Sequence, residues 1–397
     1  MDELLKLRND IDAIDAQIVE LFEKRMAVSE SVAAYKEKIG KDVLDSDRER
    51  EKIGKVRELA HSEFNAQGVE ALFNQLMTIS RMRQYMLISG QSSEYSGFMP
   101  VSGMAVKAQE GAAAEDVPFL RMPFDKGTKV VYSGVPGAYG HQAMLGYFGP
   151  EVDCFNVATF RECMDAIKHG DARYGVLPIE NSSTGIITDV YDLMGVYDNY
   201  IVGEYVVRVS HALLACPGAS MEDIKTVYSH PQGLLQCRSF LSGKNWQQIS
   251  LNNTAAAAKK VRDEKDKTQA AVASEMAAGF YGLEVLASKI NDLNNNSTRF
   301  IIIQNRREYL KEANQISICF ELPHASGTLY NILSHFIFNG LNMNRIESRP
   351  IPGKKWQYRF FVDFDGCLSQ RQVRNALTGI ASETDNFRIL GNYIHVE

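Results

Sequence analysis

The sequence lacks the features of a nucleic-acid-binding, membrane or secreted protein. Its formal net charge is −6 over 397 residues, so an anionic ligand must be held by local Arg, Lys or backbone N–H groups. No apolar stretch approaches the length of a bilayer span, and the charged N-terminus has no apolar signal core. We therefore expect a cytoplasmic protein that binds neither nucleic acid nor membrane.

The six cysteines have no CxxC or zinc-ligand spacing. They are Cys154, Cys163, Cys216, Cys237, Cys319 and Cys367. Scattered thiols of this kind fit structural residues in a reducing compartment. We expect no metal and no cofactor.

Proline is missing from the start of the chain, where the first is Pro100. Over the same segment apolar residues recur at three- and four-residue steps, as at Ile11, Ile14 and Ile18. This period predicts an all-helical domain over residues 1–90. The overall composition, 45% hydrophobic and 23% charged, allows two or three domains with proper cores.

Composition changes divide the rest of the chain into three segments. Residues 91–127 are rich in Ser, Gly and Ala, as expected of a linker. Residues 128–305 begin with "KVVYSG" and alternate strand and helix patterns, which predicts an α/β domain. Residues 315–397 read strand, loop, helix, strand, strand, helix, strand, which predicts a small α+β sandwich.

Three cations lie along the first predicted helix. Arg25 and Lys36 are eleven residues apart and share nearly one azimuth, whereas Arg8 lies about 100° round the helix. Arg8 is also roughly 25 Å from Arg25 and about 42 Å from Lys36, too far for one small ligand. If all three bind ligand, Arg8 must serve a partner subunit. The plain alternative is a solvated cationic face.

Further polar residues follow in "LDSDRERE", at a predicted helix start, and in "TISRMRQYM", where Ser80 and Gln84 are one helical turn apart. With these motifs, residues 1–90 resemble the all-helical chorismate mutase domain, an intertwined dimer of three-helix chains. The resemblance implies substrate contacts from Arg8, Arg25, Lys36, Asp45, Arg48, Glu49, Ser80 and Gln84. It also supplies Arg8 from the other subunit, in agreement with the helix geometry.

Chorismate mutase chemistry is an intramolecular rearrangement, so the site needs charge and shape rather than a nucleophile or a metal. The resemblance implies that Arg8, Arg25 and Arg48 grip two carboxylates and hold the reactive conformer. Lys36 and Gln84 would donate to the ether oxygen as negative charge develops there. Together with Glu49 they are the predicted catalytic residues.

Polar loops follow several strands of the α/β segment. The loop in "KVVYSGVPGAYGHQA" has the spacing GxxGxxG, which matches neither the dinucleotide fingerprint nor a P-loop, but could offer N–H groups to an anion. "GVLPIENSSTGII" and "YSHPQGLLQC" place more polar residues after strands. Thr254 in "NNTAAAAK" precedes an Ala-rich helix, where an N-cap is the plain interpretation. "NNNSTRFIII" reads by itself as a turn before an apolar strand, with a solvated Arg at the start of the strand.

In this order, "GVPGAY", "PIENSSTG", "SHPQ", "NTAAAA" and "NSTRF" resemble prephenate dehydratase, whose fold is two subdomains like a periplasmic binding protein with the site in the cleft. The resemblance implies substrate contacts from Glu180, Asn181, Ser182, His230, Gln232, Thr254, Arg299 and Phe300. It makes Thr298 catalytic. One departure is Gly140, where Ser or Thr is expected.

Dehydration expels a ring hydroxyl and a carboxylate, and aromatisation drives the reaction. Thr298 would hydrogen-bond or help protonate the leaving oxygen, with its proton relayed from elsewhere because a hydroxyl is a poor acid. Glu180 is a candidate proton source. Arg299, Asn181, Ser182 and loop N–H groups would hold the carboxylates, and Phe300 would help to exclude water.

The last segment resembles an ACT regulatory domain through "SGTLYNIL" and "NRIESRP". The resemblance implies a phenylalanine site formed by Gly327, Thr328, Leu329, Tyr330, Glu347, Ser348, Arg349 and Pro350. Two residues depart from the family pattern: Thr328 replaces the usual Ala, and Ser326 replaces the expected Pro.

Taken together, the chain resembles the bifunctional chorismate mutase/prephenate dehydratase family, with a multidomain fold of helical, α/β and ACT parts. The expected function is conversion of chorismate through prephenate to phenylpyruvate by a homodimer that L-phenylalanine inhibits. Two alternatives stay open: a monofunctional dehydratase with a mutase-derived dimerisation arm, and a non-catalytic amino-acid-sensing protein. Whether dimers pair into tetramers is also open.

Overall fold

A computed structural model describes residues 2–89, 97–106, 119–293, 295–325 and 327–395. The chain forms two compact units. The first unit comprises residues 1–96 and 318–388, and the second comprises residues 97–317 and 389–397. None of the helices in the described ranges is long and apolar enough to cross a membrane.

The predicted helical segment consists of α1 (Asp2–Ile39), α2 (Ser46–Glu58) and α3 (Glu63–Ser89). Asp45 caps α2, since its side chain accepts from the Arg48 backbone N–H and so satisfies one of the free donors at a helix start. Side chains such as Ala33, Val56 and Met82 are buried among the three helices. The opposite side of α1 leaves its apolar residues exposed.

Three short strands lie inside the segment predicted to be a linker. They are β1 (Met99–Val101), β2 (Met104–Val106) and β3 (Phe119–Arg121). β2 pairs with β3, and the buried side chains of Phe98 and Met122 anchor both ends of the segment. The linker prediction is therefore wrong for residues 97–106 and 119–127, because tertiary pairing orders a sequence with little strand pattern of its own. The remainder, 91–96 and 107–118, lies outside the described residues.

The second unit contains two sheets. The first half of its chain gives β4 (Lys129–Ser133), α4 (Tyr139–Phe148), β5 (Asp153–Val157), α5 (Phe160–His169), β6 (Tyr174–Asn181), β7 (Gly185–Ile186), α6 (Thr188–Met194), β8 (Tyr200–Arg208) and β9 (Ala212–Ala215). The second half gives β10 (Thr226–Ser229), α7 (Pro231–Gln236), α8 (Arg238–Ser242), β11 (Gln247–Ser250), α9 (Thr254–Glu264), β12 (Gln269–Ala273), α10 (Glu275–Tyr281), β13 (Glu284–Ala287), β14 (Ser297–Gln304) and β15 (Glu308–Leu310). β15 pairs with β1.

Strand order explains how one site forms from distant parts of the chain. In the larger sheet of this unit the order is β8-β14-β6-β4-β5, and in the smaller sheet it is β11-β10-β12-β9-β13. The chain enters the smaller sheet at β9 and returns at β14, which lies antiparallel between β6 and β8. The predicted α/β architecture of this segment is confirmed, and it splits into two sheet-based parts.

The last segment contains β16 (Gln315–Glu321), α11 (Thr328–Phe338), β17 (Met343–Pro350), β18 (Tyr358–Asp365), α12 (Arg371–Glu383) and β19 (Asp385–Tyr393). This is the predicted element order, and the strands lie in the order β17-β18-β16-β19. α11 and α12 approach closely at Gly379, where a Cβ atom would lie 2.3 Å from the His335 ring. Glycine is therefore required for this packing.

Candidate functional sites

Arg25, Ser80 and Gln84 meet between α1 and α3, an arrangement that the family resemblance implies and that the spacing of Ser80 and Gln84 allows. The Arg25 guanidinium donates to the Leu76 carbonyl at 2.8 Å and to the Ser80 hydroxyl. The Gln84 amide Nε2 donates to Ser29 Oγ at 3.1 Å, and Gln84 Oε1 is buried without a hydrogen-bond partner. Ser29, one turn after Arg25 on α1, is a contact that the sequence reasoning missed.

Lys36 and the start of α2 form the other side of this site. Lys36 Nζ donates to the Val43 carbonyl at 2.5 Å. Burial lowers the pKa of Lys36, and the carboxylates of Asp45 and Glu49 oppose that shift. Burial also lowers the pKa of Arg25, again opposed by Glu49. These charges are near enough to interact, so the helices bring the predicted residues together.

Arg8 and Arg48 occupy different positions relative to this cluster. Arg48 lies in the first turn of α2, next to Glu49, with its side chain exposed. Arg8 is exposed on α1, 17 residues before Arg25. At about 1.5 Å rise per residue it lies roughly 25 Å from Arg25. Arg8 therefore cannot complete the site within one chain.

A second polar cluster lies at one edge of the larger sheet. β4 and β6 are parallel, so their carboxyl ends meet at this edge, and antiparallel β14 begins there. Thr298 pairs in register with Asn181, and Arg299 with Glu180. Four residues from the motifs "IEN" and "TRF" are thus adjacent. A wider cavity of about 700 Å³, lined in part by Lys129, Arg173 and Arg306, lies at the opposite ends of these strands.

The Asn181 side chain fixes the hydrogen-bonding role of Thr298. Asn181 Oδ1 accepts from the backbone N–H groups of Ser183 and Thr184, at 3.0 and 3.2 Å, so the other atom must be Nδ2. Nδ2 donates to Asn296 Oδ1 at 2.8 Å, to Thr298 Oγ1 at 2.9 Å and to the Ser297 carbonyl at 3.1 Å. Since an amide N–H can only donate, the Thr298 oxygen accepts here and its proton remains available to a ligand.

Hydrogen bonds extend from Asn181 into the protein. Ser183 Oγ donates to Asn181 Oδ1 at 2.6 Å and accepts from Gln236 Nε2 at 3.1 Å. Gln236 Oε1 lies 2.9 Å from His211 Nε2, and Tyr139 Oη lies 3.0 Å from His211 Nδ1. Burial lowers the pKa of His211, which favours the neutral ring, with Nε2–H donating to the glutamine. We call these residues, from His211 through Gln236 and Ser183 to Asn181 and Thr298, the hydrogen-bond chain.

Arg299 is held between two carboxylates. Its guanidinium lies 3.1 Å from Glu180 Oε2 and 3.3 Å from Glu204 Oε2. The Glu204 side chain is fully buried and also lies 3.2 Å from His395 Nδ1, whereas Glu180 is partly exposed. A substrate carboxylate that binds Arg299 would therefore have to displace or share the contact of Glu180, the outer of the two.

The glycine-rich loop uses its backbone donors within the protein. Gly134 N–H donates to the Val157 carbonyl, Ala138 N–H to the Val135 carbonyl, and Gly137 N–H to His141 Nδ1. The predicted anion-binding role is therefore wrong for these three N–H groups, because the turn itself satisfies them.

Gly140 departs from the expected Ser or Thr for a steric reason. A Cβ atom at this position of α4 would lie 2.7 Å from the Ser133 carbonyl oxygen, closer than real Cβ atoms approach. α4 thus starts against the end of β4. A hydroxyl side chain at residue 140 would force the helix and the strand apart.

The remaining predicted dehydratase residues lie around the same edge. Gln232 lines a cavity of about 200 Å³ with Ser183, Gln236 and Asn296. His230 caps α7, accepting from the Gln232 backbone N–H at 3.2 Å. This cap fixes the orientation of the ring.

Phe300, Ser182 and Thr254 have mainly structural surroundings. Phe300 is buried near Gly140. Ser182 Oγ accepts from the Ser297 backbone N–H at 2.9 Å, joining β6 to β14. The N-cap interpretation of Thr254 is wrong: Asn253 caps α9, accepting from two backbone N–H groups, and Thr254 is the first helical residue.

The predicted regulatory residues lie at two places in the last segment. Gly327 precedes α11 with φ of 81°, a conformation that favours glycine, and Thr328 to Tyr330 form the first turn of that helix. The Thr328 hydroxyl donates to backbone carbonyls of the preceding loop. The residues from Glu347 to Pro350 end β17, an edge strand. Ser326 lies outside the described residues.

Several contacting residues had weak signals in the sequence. Glu204 is the one acidic residue in the apolar strand "YIVGEYVV", a signal that could have marked it as a paired buried charge. Gln236, His211 and His395 had no such signal. Among the described residues, no group of three His, Cys, Asp or Glu side chains could hold a metal ion.

The clustered cations among the helices, and the hydroxyl and arginine at the sheet edge, define an enzyme with two separate sites for small anionic substrates. Residues 7–85 match the family model described as chorismate mutase type II, and residues 130–308 match prephenate dehydratase. The chain is 31% identical over 396 residues to the bifunctional chorismate mutase/prephenate dehydratase of Aquifex aeolicus, covering 99% of this chain and 98% of that protein.

Solved structures are similar over about two thirds of the chain. Prephenate dehydratase from Arthrobacter aurescens, in complex with L-Phe, gives a TM-score of 0.63 at 28% identity and covers 68% of this chain and 90% of that one. GqqA, described as a novel type of quorum quenching acylase, gives 0.63 at 30% identity and covers 68% and 98%. Proteins with the same fold can therefore have different activities, so the function has to be assigned from the residues of the site.

The chain belongs to the bifunctional chorismate mutase/prephenate dehydratase family. It is therefore an enzyme of phenylalanine biosynthesis with an isomerase and a lyase activity, which confirms the function predicted from the sequence.

Proposed function

We propose that the site among α1–α3 performs the mutase step with residue roles set by charge. Arg25 and Arg48 bind the carboxylates of chorismate, and Glu49 accepts a hydrogen bond from its ring hydroxyl. Lys36 donates to the ether oxygen as the C–O bond breaks. Its ammonium group has three N–H donors, and only one is needed for Val43.

Gln84 is the second donor to the ether oxygen in this proposal. Turning its amide by 180° would let Oε1 accept from the Ser29 hydroxyl and would direct Nε2 to the position of the unpartnered oxygen. The buried acceptor without a partner supports this role, because a ligand that contacts Gln84 would remove an unsatisfied polar group.

A second copy of the chain completes the mutase site. Along α1 the apolar residues Leu7, Ile11, Ile14, Ile18 and Leu21 recur at three- and four-residue steps, and each is more than half exposed. A helix with this exposed row buries it against a partner helix. The exposed row continues through Val28, Val32 and Tyr35, so antiparallel pairing along its whole length would carry Arg8 of one copy toward the Lys36 end of the other, which supports a homodimer with shared sites.

The second site dehydrates and decarboxylates prephenate to phenylpyruvate. Thr298 donates its free proton to the leaving hydroxyl, while Asn181 donates to the Thr298 oxygen and stabilises the charge that develops on it. Arg299 binds a substrate carboxylate, and Glu180 is the candidate source of the proton. The observation that carries this assignment is the direction of the Asn181–Thr298 hydrogen bond.

The last segment acts as an ACT-type domain that binds L-phenylalanine and lowers dehydratase activity. Support comes from its strand and helix order and from the left-handed Gly327 at the start of α11, where backbone N–H groups could meet a carboxylate. Isothermal calorimetry on the intact chain tests this. Absence of binding at millimolar L-phenylalanine would overturn it.

Separate assays of the purified chain with chorismate and with prephenate test the two-site assignment. Both substrates should turn over, and Arg25→Ala should stop chorismate turnover alone. A chain that acts on prephenate but not on chorismate would instead be a dehydratase whose helices serve only for dimerisation. For the shared site, mixed dimers of Arg8→Ala and Lys36→Ala chains should regain mutase activity, and no recovery after verified exchange would contradict it.

A further inference from the structure

Arg81 on α3 is a buried arginine that contacts two carboxylates from different parts of the first unit. Its Nε and Nη2 atoms lie 2.7 and 3.4 Å from the two oxygens of Glu383. Nη1 donates to Glu49 Oε2 at 2.5 Å, and Nη2 also donates to Thr78 Oγ1 at 3.1 Å. All three guanidinium nitrogens are therefore engaged, in a geometry that only a planar fork can provide.

Glu383 is itself held by the last segment. It ends α12, its side chain is only 7% exposed, and His335 Nε2 of α11 lies 3.4 Å from its Oε1. His335 is fully packed against Gly379, as described above. Burial opposes ionisation of Glu383, but the contact with His335 and the charge of Arg81 outweigh it and lower its pKa. Glu383 is thus an ionised, fixed anchor.

Glu49 stands at the other end of this contact, in the first turn of α2. Its charge opposes the lowering of the pKa values of Arg25 and Lys36 by burial, so it lies near the mutase site as well as against Arg81. Two carboxylates share one guanidinium, which leaves a net charge of −1 in the group. Glu49 therefore keeps negative charge for a ligand even while Arg81 holds one of its oxygens.

We propose that Arg81 is a positioning residue for the mutase reaction, orienting Glu49 toward the substrate because Glu383 of α12 fixes the guanidinium from the opposite side. The mutase site of the first three helices is then completed by the final helix of the same chain. This proposal rests on the role proposed above for Glu49. It assigns no contact with substrate to Arg81 or Glu383.

Kinetics of full-length variants test the proposal. Glu383→Gln keeps the shape of the side chain but removes its charge. Arg81→Lys keeps the buried positive charge but loses the planar guanidinium that contacts both carboxylates. Each should lower mutase kcat/KM by about tenfold, less than the hundredfold that misplacement by about 1 Å can cost, with dehydratase kcat unchanged. Glu30→Gln is the matched control, since Glu30 pairs with Arg83 on the exposed side of α3 and should change neither activity.

A double-mutant cycle separates positioning from mere stability. If Glu383 acts through Glu49, adding Glu383→Gln to Glu49→Gln should change mutase kcat/KM by less than about twofold. An equal loss in both backgrounds, or no loss from either Glu383→Gln or Arg81→Lys in folded protein, overturns the proposal while leaving the mutase assignment intact. No effect of Glu49→Gln itself overturns both this proposal and the role proposed for Glu49.

Discussion

The helical site holds its functional groups by charge, whereas the sheet-edge site holds Thr298 by neutral hydrogen bonds. The charge of Glu49 opposes the lowering of the pKa values of Arg25 and Lys36 by burial. Thr298 is fixed by Asn181, which is fixed in turn by backbone N–H groups and Ser183. This difference matches the two proposed reactions. In the mutase step negative charge develops on the ether oxygen, whereas dehydration needs one proton directed at the leaving hydroxyl.

The two sites also resemble each other in how one arginine is held. Arg81 and Arg299 each lie between two carboxylates, one deeply buried and one nearer the ligand. The buried carboxylate, Glu383 or Glu204, contacts the guanidinium from one side, and the more exposed one, Glu49 or Glu180, is the residue to which we assign a role in the proposed site. An inner anchor of this kind orders a long side chain before the substrate arrives, which lowers the entropy lost on binding.

The largest expected effect is on Lys36. Lys36→Ala should lower mutase kcat by about 10³-fold, because it removes a cation from the position where negative charge develops, and leave dehydratase kcat unchanged. Lys38→Ala, two residues later on the exposed side of the same helix, is the control and should be silent. Steady-state assays with each substrate measure both. Equal losses in the two activities would contradict separate sites.

Thr298→Ala should lower dehydratase kcat on the order of 10²-fold with little change in melting temperature. Thr298→Ser, which keeps the hydroxyl but loses the rotamer constraint of the methyl group, should fall in between. If the Thr298 hydroxyl only stabilises the turn before β14, Thr298→Ala would instead cost about 1 kcal/mol of stability and leave turnover unchanged. Measuring kcat beside a thermal melt distinguishes these results.

Gln236→Met should lower dehydratase kcat by about tenfold, since it removes the donor to Ser183 and the acceptor for His211 while keeping the volume. The loss should disappear in a Thr298→Ala background, because the hydrogen-bond chain acts through that hydroxyl. Gln248→Met, at an exposed position of β11, is the control and should leave dehydratase kcat unchanged. Full activity of Gln236→Met would show that Asn181 needs no support.

Periodicity and motif order predicted the three helices, the α/β segment and the element order of the last segment. They also placed Ser80 with Arg25 and Thr298 with Asn181. They missed the short strands at 99–106 and 119–121, which depend on pairing with β15 or with each other. They also missed Arg81, because nothing local distinguishes it from the exposed Arg83 two residues later. Glu204 was missed as well, although it is the one acidic residue of an apolar strand. Contacts between residues that are hundreds of positions apart produce no periodic pattern in the sequence.

Lowering the pH should destabilise the second unit slightly more than the first. Burial lowers the pKa of His211, His141 and His230, all in the second unit. On unfolding, each pKa returns toward about 6.5, so as the pH falls through that value the unfolded state takes up protons that the folded state resists. The stability that these neutral rings contribute is complete above about pH 6.5 and declines below it.

The contribution of Glu383, in the first unit, is lost at a lower pH, although its pKa is also lowered from its ordinary value. The pKa of Glu383 is lowered, so its contribution persists above about 4.5 and fades only in stronger acid. Between pH 7.5 and 5.5 the temperature of half-inactivation should therefore fall for dehydratase activity and hold for mutase activity. The expected shift is a few degrees, at about 2–4 °C per kcal/mol. His211→Asn should reduce it, whereas His169→Asn, exposed at the end of α5, should not. A parallel fall of both activities would show that the two regions lose structure together.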